Sequence, residues 1–280
     1  MRDQPSVDRL RAIHEQLEQG VDRLESSDDW QHALAFAARF HSYSFGNALL
    51  IACQRPDATL VAGYAKWHEL GRQVRRGEHG IAILAPIVVR RDTENDDEHE
   101  RAVRSFKVAH VFDVAQTDGD ALPETVFAHR LEGGAERENA LYTELATAMR
   151  VDGWTVDRVT PDALAPIGTQ ANGVTIYDSR AVQVRDDLSP AQSFKTLVHE
   201  RAHTLLHEGT NASRELVECE AESAAYIVLA ALGVDAGAYS FGYVAGWSRG
   251  ERNTVQAAGR NATAAAAKIL ATLNDQEAGR

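Results

Sequence analysis

The stretch LSPAQSFKTLVHERAHTLLHEG, residues 188–209, is the most informative part of this chain. Ser189 is a residue type that caps helix N-termini, and Pro190 suits the first helical position. Gly209 suits a helix end, because glycine readily adopts the left-handed conformation found there. The pattern therefore predicts one helix with the sequence HERAH, residues 199–203, in its interior.

The HERAH sequence has the spacing of a metal site. Residues four apart lie on one face of a helix, so His199 and His203 can both reach one ion. Glu200 projects beside them and can accept a proton from a water molecule that the ion activates. The alternative is a pair of solvated histidines on a helix surface. The helical context favours the metal site, and zinc would need a third protein ligand.

The segment SRELVECEAESAAYIVLAALG, residues 213–233, predicts the helix that supplies this ligand. At 100° per residue Glu215, Glu218 and Glu222 share a face, whereas Glu220 points away from it. An apolar run follows, so the helix is expected to be largely buried and its carboxylates to need partners. We expect Glu218 to be the third ligand and Glu222 to support one of the histidines.

Two further side chains near the motif are candidates for lesser roles. His207 continues the face of His199 and His203, but three successive turns of a straight helix diverge too far to hold one ion. We therefore expect His207 to support a ligand or to lie at the rim. Cys219 points about 100° away from Glu218 and is expected to be a small buried residue.

HERAH followed by ECEAESAA resembles the ImmA/IrrE type of metallopeptidase, whose pattern is HExxH and then E-x-x-A-[ND]-x-x-A on a second helix. Glu218, Ala221, Glu222 and Ala225 fit this pattern, although Glu222 stands where Asn or Asp is usual. The resemblance covers about the last half of the chain. It implies a zinc-dependent endopeptidase with a gluzincin-like site.

Composition restricts the classes of protein that need to be considered. The 280 residues are 44% hydrophobic with a net charge of −12, which suits a globular protein and argues against a generally basic nucleic-acid binder. No apolar run approaches the ~20 residues that cross a bilayer, so no membrane partner is expected. Two cysteines and no leader-like segment lead us to expect a cytoplasmic protein.

Charge is distributed unevenly along the chain. Residues 31–91 contain eight basic and three acidic side chains, a local charge of +5. Aromatic side chains here could stack on unpaired bases and basic ones could contact phosphates. The alternative is that the aromatics are core and the basic residues form a solvated face. The candidates for DNA binding are Tyr43, Phe45, Tyr64, Lys66, Trp67, Arg72, Arg75 and Arg76.

The same region resembles the N-terminal domain of ArdC-type antirestriction proteins. The sequences YSFGN, AGYAKW, GRQVRRG and FDVAQTDG occur in the family's order, between about Phe40 and Gly119. The resemblance implies a module that binds single-stranded DNA. ArdC pairs this module with a metallopeptidase-like domain, so the two resemblances support each other.

Together these observations predict an α+β protein of two domains. We expect a DNA-binding domain over residues 1–120, a linker over 121–138 and a zincin-like domain with a small sheet over 139–280. Asn172-Gly173 is expected to form a hairpin turn in that sheet. The expected function is a zinc-dependent endopeptidase that acts on an unidentified protein and binds single-stranded DNA, with an antirestriction, mobile-element or DNA-damage role. The alternative is a non-catalytic antirestriction protein that binds single-stranded DNA and has a structural zinc site.

Overall fold

The computed structural model describes residues 4–92, 99–122, 134–165, 171–235 and 250–278, together with residues 239, 241 and 248. Its helices are α1 (Gln4–Asp22), α2 (Ser27–Arg39), α3 (Phe45–Gln54), α4 (Tyr64–Glu69), α5 (Ala135–Val151), α6 (Pro161–Leu164), α7 (Pro190–Leu206), α8 (Arg214–Leu232) and α9 (Arg252–Ala278). Its strands are β1 (Val61–Gly63), β2 (Arg72–Val74), β3 (Ile81–Asp92), β4 (His99–Asp113), β5 (Thr117–Gly119), β6 (Thr155–Val159), β7 (Gly173–Ile176) and β8 (Ala181–Arg185). Helices and mostly antiparallel strands are thus mixed, in agreement with the predicted α+β class.

The chain divides into two compact units. The N-terminal unit comprises Met1–Arg23 and Gly46–Leu122, and the C-terminal unit comprises Leu24–Phe45 and Pro123–Arg280. In the part of the chain that the structure describes, no helix combines the length and apolar character that crossing a bilayer requires.

The N-terminal unit is built on an antiparallel sheet in the order β1-β4-β3, beside a small β2-β5 pair. Helix α3 covers the backbone of the edge strand β3 with two side-chain amides. Asn47 exchanges two hydrogen bonds with the backbone of Leu84, of 3.0 and 2.9 Å, and Gln54 exchanges two with Ala82, of 2.8 and 2.9 Å. The two side-chain amides bond to the backbone of β3 as a neighbouring strand would. The backbone N–H and C=O groups of Leu84 and Ala82 are therefore not left unpaired at the sheet edge.

The C-terminal unit carries a three-stranded sheet in the order β6-β8-β7, together with helices α2, α5, α6, α7, α8 and α9. Strand β8 runs parallel to β6 and antiparallel to β7. The predicted hairpin turn at Asn172-Gly173 is wrong, because Gly173 is the first residue of β7. The chain instead reverses between Tyr177 and Arg180, whose φ of 48° places it in the left-handed region.

The first domain was expected to span residues 1–120, but the structure places residues 24–45 in the C-terminal unit. Helix α2 explains the difference. Its Trp30 is fully buried, its indole Nε1–H donates a 2.9 Å hydrogen bond to Ser223 on α8, and its ring packs on Phe45. The expected linker, 121–138, lies mostly outside the described residues, and α5 begins within it at Ala135.

Candidate metal centre and nucleic-acid interface

Helix α7 presents the HERAH sequence as predicted. Ser189 caps the helix by accepting a hydrogen bond from the Gln192 amide, and Pro190 is the first helical residue. The helix ends at Leu206, with His207 as its C-terminal cap, and Gly209 adopts a φ of 70° in the following turn. His199 and His203 therefore lie one turn apart, near the middle and in the last turn of the helix.

Helix α8 lies in residues 213–233, the segment in which the sequence predicted a helix. It begins at Arg214 after the cap Ser213 and ends at Leu232, where Gly233 is left-handed with a φ of 68°. Ala221 and Ala225 are completely buried, as expected for helices that approach closely, and α8 packs on α7. This packing directs Glu218 towards the two histidines.

The structure brings His199, His203 and Glu218 together. Nε2 of His199 lies 3.0 Å from Nε2 of His203 and 3.4 Å from Oε2 of Glu218. Nε2 of His203 lies 3.9 Å from the same carboxylate oxygen. Three donor atoms from two helices thus face one point, an arrangement that could hold a metal ion.

These donors fit a divalent cation in spacing and in chemistry. Atoms that bind one tetrahedral zinc ion at about 2.0–2.1 Å lie about 3.3 Å apart, a value that the three observed separations bracket. Two imidazole nitrogens and one carboxylate form a donor set typical of catalytic zinc sites. His199, His203 and Glu218 therefore have the spacing and the chemistry to hold a divalent cation.

The electrostatics of the site favour a positive charge at this point. Burial lowers the pKa of His199, but its hydrogen bonds with Glu218 and Glu222 outweigh burial and raise the pKa to about 10. Burial and the nearby His199 lower the pKa of His203 to about 3. The hydrogen bond with His199 also lowers the pKa of Glu218. The surrounding carboxylates thus stabilise a cation, and a metal ion would replace the proton on His199.

Glu200 lies beside the trio and has a separate environment. Burial raises the pKa of its carboxyl group, and Oε2 accepts a 2.7 Å hydrogen bond from the hydroxyl of Thr175 on β7. Glu200 also lines a cavity of about 800 Å³ that it shares with the three candidate ligands. It is therefore close to the candidate ion without belonging to the set of three donors.

Both histidines are supported through their other ring nitrogen. Oε2 of Glu222 lies 3.2 Å from Nδ1 of His199, and Oε1 of Glu222 accepts a 2.9 Å bond from the buried Lys195. The Nδ1 atom of His207 lies 2.9 Å from the Nδ1 atom of His203. These positions suit the supporting roles expected for Glu222 and His207.

Sequence reasoning missed several contributors to this site. Glu220 was expected to point away from the ligand face; it does not approach the donors, but it is buried and binds His207. Thr175, which binds Glu200, and Lys195, which binds Glu222, were not among the residues predicted for the site. Thr175 could not be predicted, because only the three-dimensional packing brings β7 to Glu200. Lys195 could have been predicted, because a charged residue among the apolar residues of SFKTLV requires a charged partner.

The structure divides the aromatic candidates for DNA binding into core and surface residues. Trp67 is fully buried, and its Nε1–H donates a 2.9 Å hydrogen bond to the Phe112 carbonyl. Phe45 is also fully buried. The expectation that these two rings stack on bases is therefore corrected, since neither can do so without leaving the core. Tyr43 is half-buried, which raises its pKa, whereas Tyr64 is 55% exposed.

Most of the basic candidates for DNA binding form ion pairs or hydrogen bonds with other residues of the protein. Lys66 pairs with Glu69 at 3.0 Å, and Arg75 pairs with Glu78 at 2.8 Å and Asp118 at 3.3 Å. Arg72 donates hydrogen bonds to the β5 region at Thr117, Gly119 and Asp120. Arg76 is exposed and makes no ion pair with the residues that the structure describes.

The FDVAQT segment, which carried part of the sequence resemblance, has a structural role. The buried carboxylate of Asp113 accepts hydrogen bonds from the amides of Thr59, Leu60 and Ala115. The buried Gln116 side chain accepts from the Asp113 amide and donates to the His79 carbonyl. These bonds fasten the loops around β4 and β5.

A further exposed aromatic residue was not selected from the sequence. Phe106 on β4 is 46% exposed and stands opposite Pro86 on β3. Val88 and Val103 form another pair on the same ribbon and are also exposed, and Lys107 is exposed next to Phe106. An aromatic residue in an exposed ribbon with a basic neighbour is a candidate for stacking, and the pattern RSFKV was its sequence signal.

Comparisons with known proteins bear on both halves of the chain. The family model for the N-terminal domain of anti-restriction factor ArdC matches residues 8–112. An uncharacterized protein of Bacillus anthracis, pXO2-81, is 26% identical over 258 residues, which cover 80% of this chain. The chain spans 44% of the length of this relative.

Solved structures of the antirestriction protein ArdC from plasmid R388 are also similar. The metal-free structure has a TM-score of 0.50 and 19% identity, with 83% of this chain and 84% of that chain covered. The Mn(II)-bound structure has a TM-score of 0.44 and 20% identity, with 81% and 87% covered. Residues 8–112 thus match the model of the ArdC N-terminal domain, and the chain is similar in fold to ArdC of plasmid R388.

Proposed function

We propose that this protein binds single-stranded DNA in an antirestriction or related mobile-element or DNA-damage role and hydrolyses peptide bonds at a zinc centre. The observation that carries the proposal is the convergence of His199, His203 and Glu218 beside the buried Glu200. Three protein ligands leave a coordination position open, as in catalytic rather than structural zinc sites. The match to the ArdC N-terminal domain supports the DNA-binding and antirestriction part.

The residues around the candidate ion can perform the steps of hydrolysis. A bound zinc ion would supply Lewis acidity towards water and a substrate carbonyl. Glu200 would then act as the general base that removes a proton from water and later delivers it to the leaving amine. Thr175 holds one oxygen of Glu200 at 2.7 Å, which orients the carboxylate. Burial raises the pKa of Tyr177 to about 12, so its hydroxyl stays protonated and donates a 3.2 Å hydrogen bond to the His203 carbonyl at the wall of the same cavity.

The proposed substrate is an extended segment of a protein. Strand β7 pairs only with β8 among the strands that the structure describes, and residues 171–175 line the cavity. An exposed strand edge can bind an extended peptide by main-chain hydrogen bonds. This placement would bring a peptide bond close to Glu200 without requiring a particular side chain in the substrate.

The proposed DNA surface is limited to side chains that remain available. Tyr64 and Phe106 offer exposed rings, and Arg76 offers an exposed guanidinium group. Stacking requires unpaired bases, which is why single strands are the proposed ligand. Arg75 and Lys66 could contact phosphates only by giving up their ion pairs with carboxylates of the protein.

A second candidate is a DNA-binding antirestriction protein whose metal only stabilises the fold. The match to the ArdC N-terminal domain favours this candidate over the first, since that match extends only over residues 8–112 and says nothing of hydrolysis. The buried Glu200 favours the first candidate, because a structural ion does not require a carboxylate outside its set of ligands.

The test is a proteolysis assay on the full chain with unfolded casein and a mixed peptide library. Each substrate is incubated with protein loaded with Zn(II) or Mn(II), with and without a single-stranded oligonucleotide, and after chelation. We expect cleavage that chelation abolishes and that Glu200→Gln reduces by at least ~100-fold. No cleavage by the metal-loaded wild type under any condition would overturn the catalytic half and leave the second candidate.

A further inference from the structure

A chain of buried hydrogen bonds leads from the candidate ligand His203 to helix α9. Nδ1 of His203 lies 2.9 Å from Nδ1 of His207, and Nε2 of His207 lies 2.9 Å from Oε2 of Glu220. The other oxygen of Glu220 accepts a 2.9 Å bond from the Asn261 side-chain amide. His207 and Glu220 are 5% and 6% exposed, so water does not compete strongly for these bonds.

The numbers of donors and acceptors give this chain one direction when Glu220 is ionised and His207 is neutral. An ionised Glu220 can only accept, and it does so from Asn261 and from the Nε2–H group of His207. A neutral His207 then has an unprotonated Nδ1, which accepts from Nδ1–H of His203. In this arrangement His203 keeps a lone pair on Nε2, the atom that faces His199 and Glu218.

His199 is held in a comparable way but with one step fewer. Its Nδ1 lies 3.2 Å from Glu222, which is anchored in turn by Lys195. Glu220 and Glu222 are two residues apart on α8, so one helix supplies the carboxylate behind each histidine. The two histidines differ because Nδ1 of His203, in the last turn of α7, contacts His207, and His207 in turn contacts Glu220 on α8.

We propose that Glu220, acting through His207 and anchored by Asn261, is a positioning residue that fixes the tautomer of His203. This inference rests on the proposed metal centre and deepens it. The carboxylate keeps the proton of His203 on Nδ1 and its Nε2 free for the ion. Outer groups of this kind typically change metal affinity 10- to 100-fold when removed.

The test combines a spectroscopic measurement on metal-free protein with a metal titration. Two-bond ¹H–¹⁵N correlation spectra of the ¹⁵N-labelled full chain report which nitrogen of His203 carries the proton. We expect Nδ1–H in the wild type and a shift towards Nε2–H in Glu220→Leu and His207→Phe. Competition with a chromogenic chelator should show Zn(II) affinity weakened roughly 10- to 100-fold in both variants. Glu215→Gln, an exposed glutamate on the same helix, should leave both measurements unchanged.

The outcomes separate this inference from the proposed function. The wild-type spectrum is a test by itself, so the inference stays testable if the variants do not fold. A proton on Nε2 of His203 in the wild type would overturn the inference. Unchanged tautomer and unchanged Zn(II) affinity in folded Glu220→Leu would also overturn it. A wild type that shows Nδ1–H but binds no divalent ion would overturn the metal centre and leave the hydrogen-bond chain as a structural device.

Discussion

Thr175 and Glu200 are joined by a hydrogen bond of 2.7 Å, from the threonine hydroxyl to a carboxylate oxygen. One partner is on the outer strand β7 and the other on helix α7, so the bond fixes the carboxylate relative to the cavity wall. It also lowers the pKa of Glu200 against the stronger effect of burial. The proposed general base is therefore held by a residue from a different secondary-structure element.

Removing this bond should slow hydrolysis without releasing metal. Thr175→Val keeps the shape of the side chain but cannot donate, and a hydrogen bond to a charged group is worth about 1.5–3 kcal/mol. We expect the turnover rate to fall roughly 10-fold or more. Thr175→Ser, which keeps the hydroxyl, should remain near wild type. Equal turnover for Thr175→Val and wild type would contradict an orienting role.

Gly173 permits the close approach of β7 to α7. A Cβ at this position would lie 2.7 Å from Cγ2 of Thr196 and 2.9 Å from Oε1 of Glu200. Gly173→Ala should therefore destabilise the fold by about 1–3 kcal/mol, as overpacking does, measured by urea unfolding. Gly63→Ala is the matched control, since nothing lies within 4 Å of its Cβ position. Similar stability losses in both variants would argue against a specific contact.

Tyr64 and Trp67 should respond differently to substitution, although both were candidates for stacking. Tyr64→Ala should weaken binding to single-stranded DNA roughly 5- to 100-fold at unchanged melting temperature, whereas Tyr64→Phe keeps the ring and should bind normally. Trp67→Ala should cost about 3–5 kcal/mol of stability, because it empties a core site. Fluorescence anisotropy with a labelled oligonucleotide and thermal unfolding measure the two effects. The proposed stacking role fails if Tyr64→Ala binds DNA as the wild type does.

Arg76 should contribute more to the salt dependence of DNA binding than Arg75. Each phosphate contact with single strands contributes about 0.7 to the slope of log affinity against log salt. Arg76→Ala should reduce the slope by about that amount. Arg75→Ala should reduce it less, because Glu78 and Asp118 already neutralise the guanidinium group. A larger effect for Arg75, or no salt dependence in the wild type, would contradict this assignment.

The grouping of His199, His203 and Glu218 was largely predictable because its geometry is local. A capped helix places His199 and His203 four residues apart, and a second helix bounded by Ser213 and Gly233 limits the third ligand to one face. Such signals depend on helix periodicity and end residues, which sequence displays directly. The role of Asn261 could not be inferred in this way, because it lies 41 residues beyond its partner Glu220 on another helix.

The N-terminal region was harder to interpret because composition does not reveal burial. Trp67 and Tyr64 are three residues apart in one short helix, yet one is enclosed and the other is exposed. Arginines beside aromatics predicted a DNA surface, but Arg72 is used to join β2 to β5 and its neighbouring loop. Similarly, Asn172-Gly173 has the sequence of a turn, while sheet pairing makes Gly173 part of a strand.

Metal analysis of purified variants tests the central claim most directly. After dialysis against Zn(II) and then buffer, inductively coupled plasma mass spectrometry should find one zinc per chain in the wild type, in Glu200→Gln and in His68→Ala, an exposed-histidine control. His203→Ala should lose the ion and unfold at a lower temperature, because the ion ties α7 to α8. Zinc content in folded His203→Ala equal to that of the wild type would contradict the proposed centre.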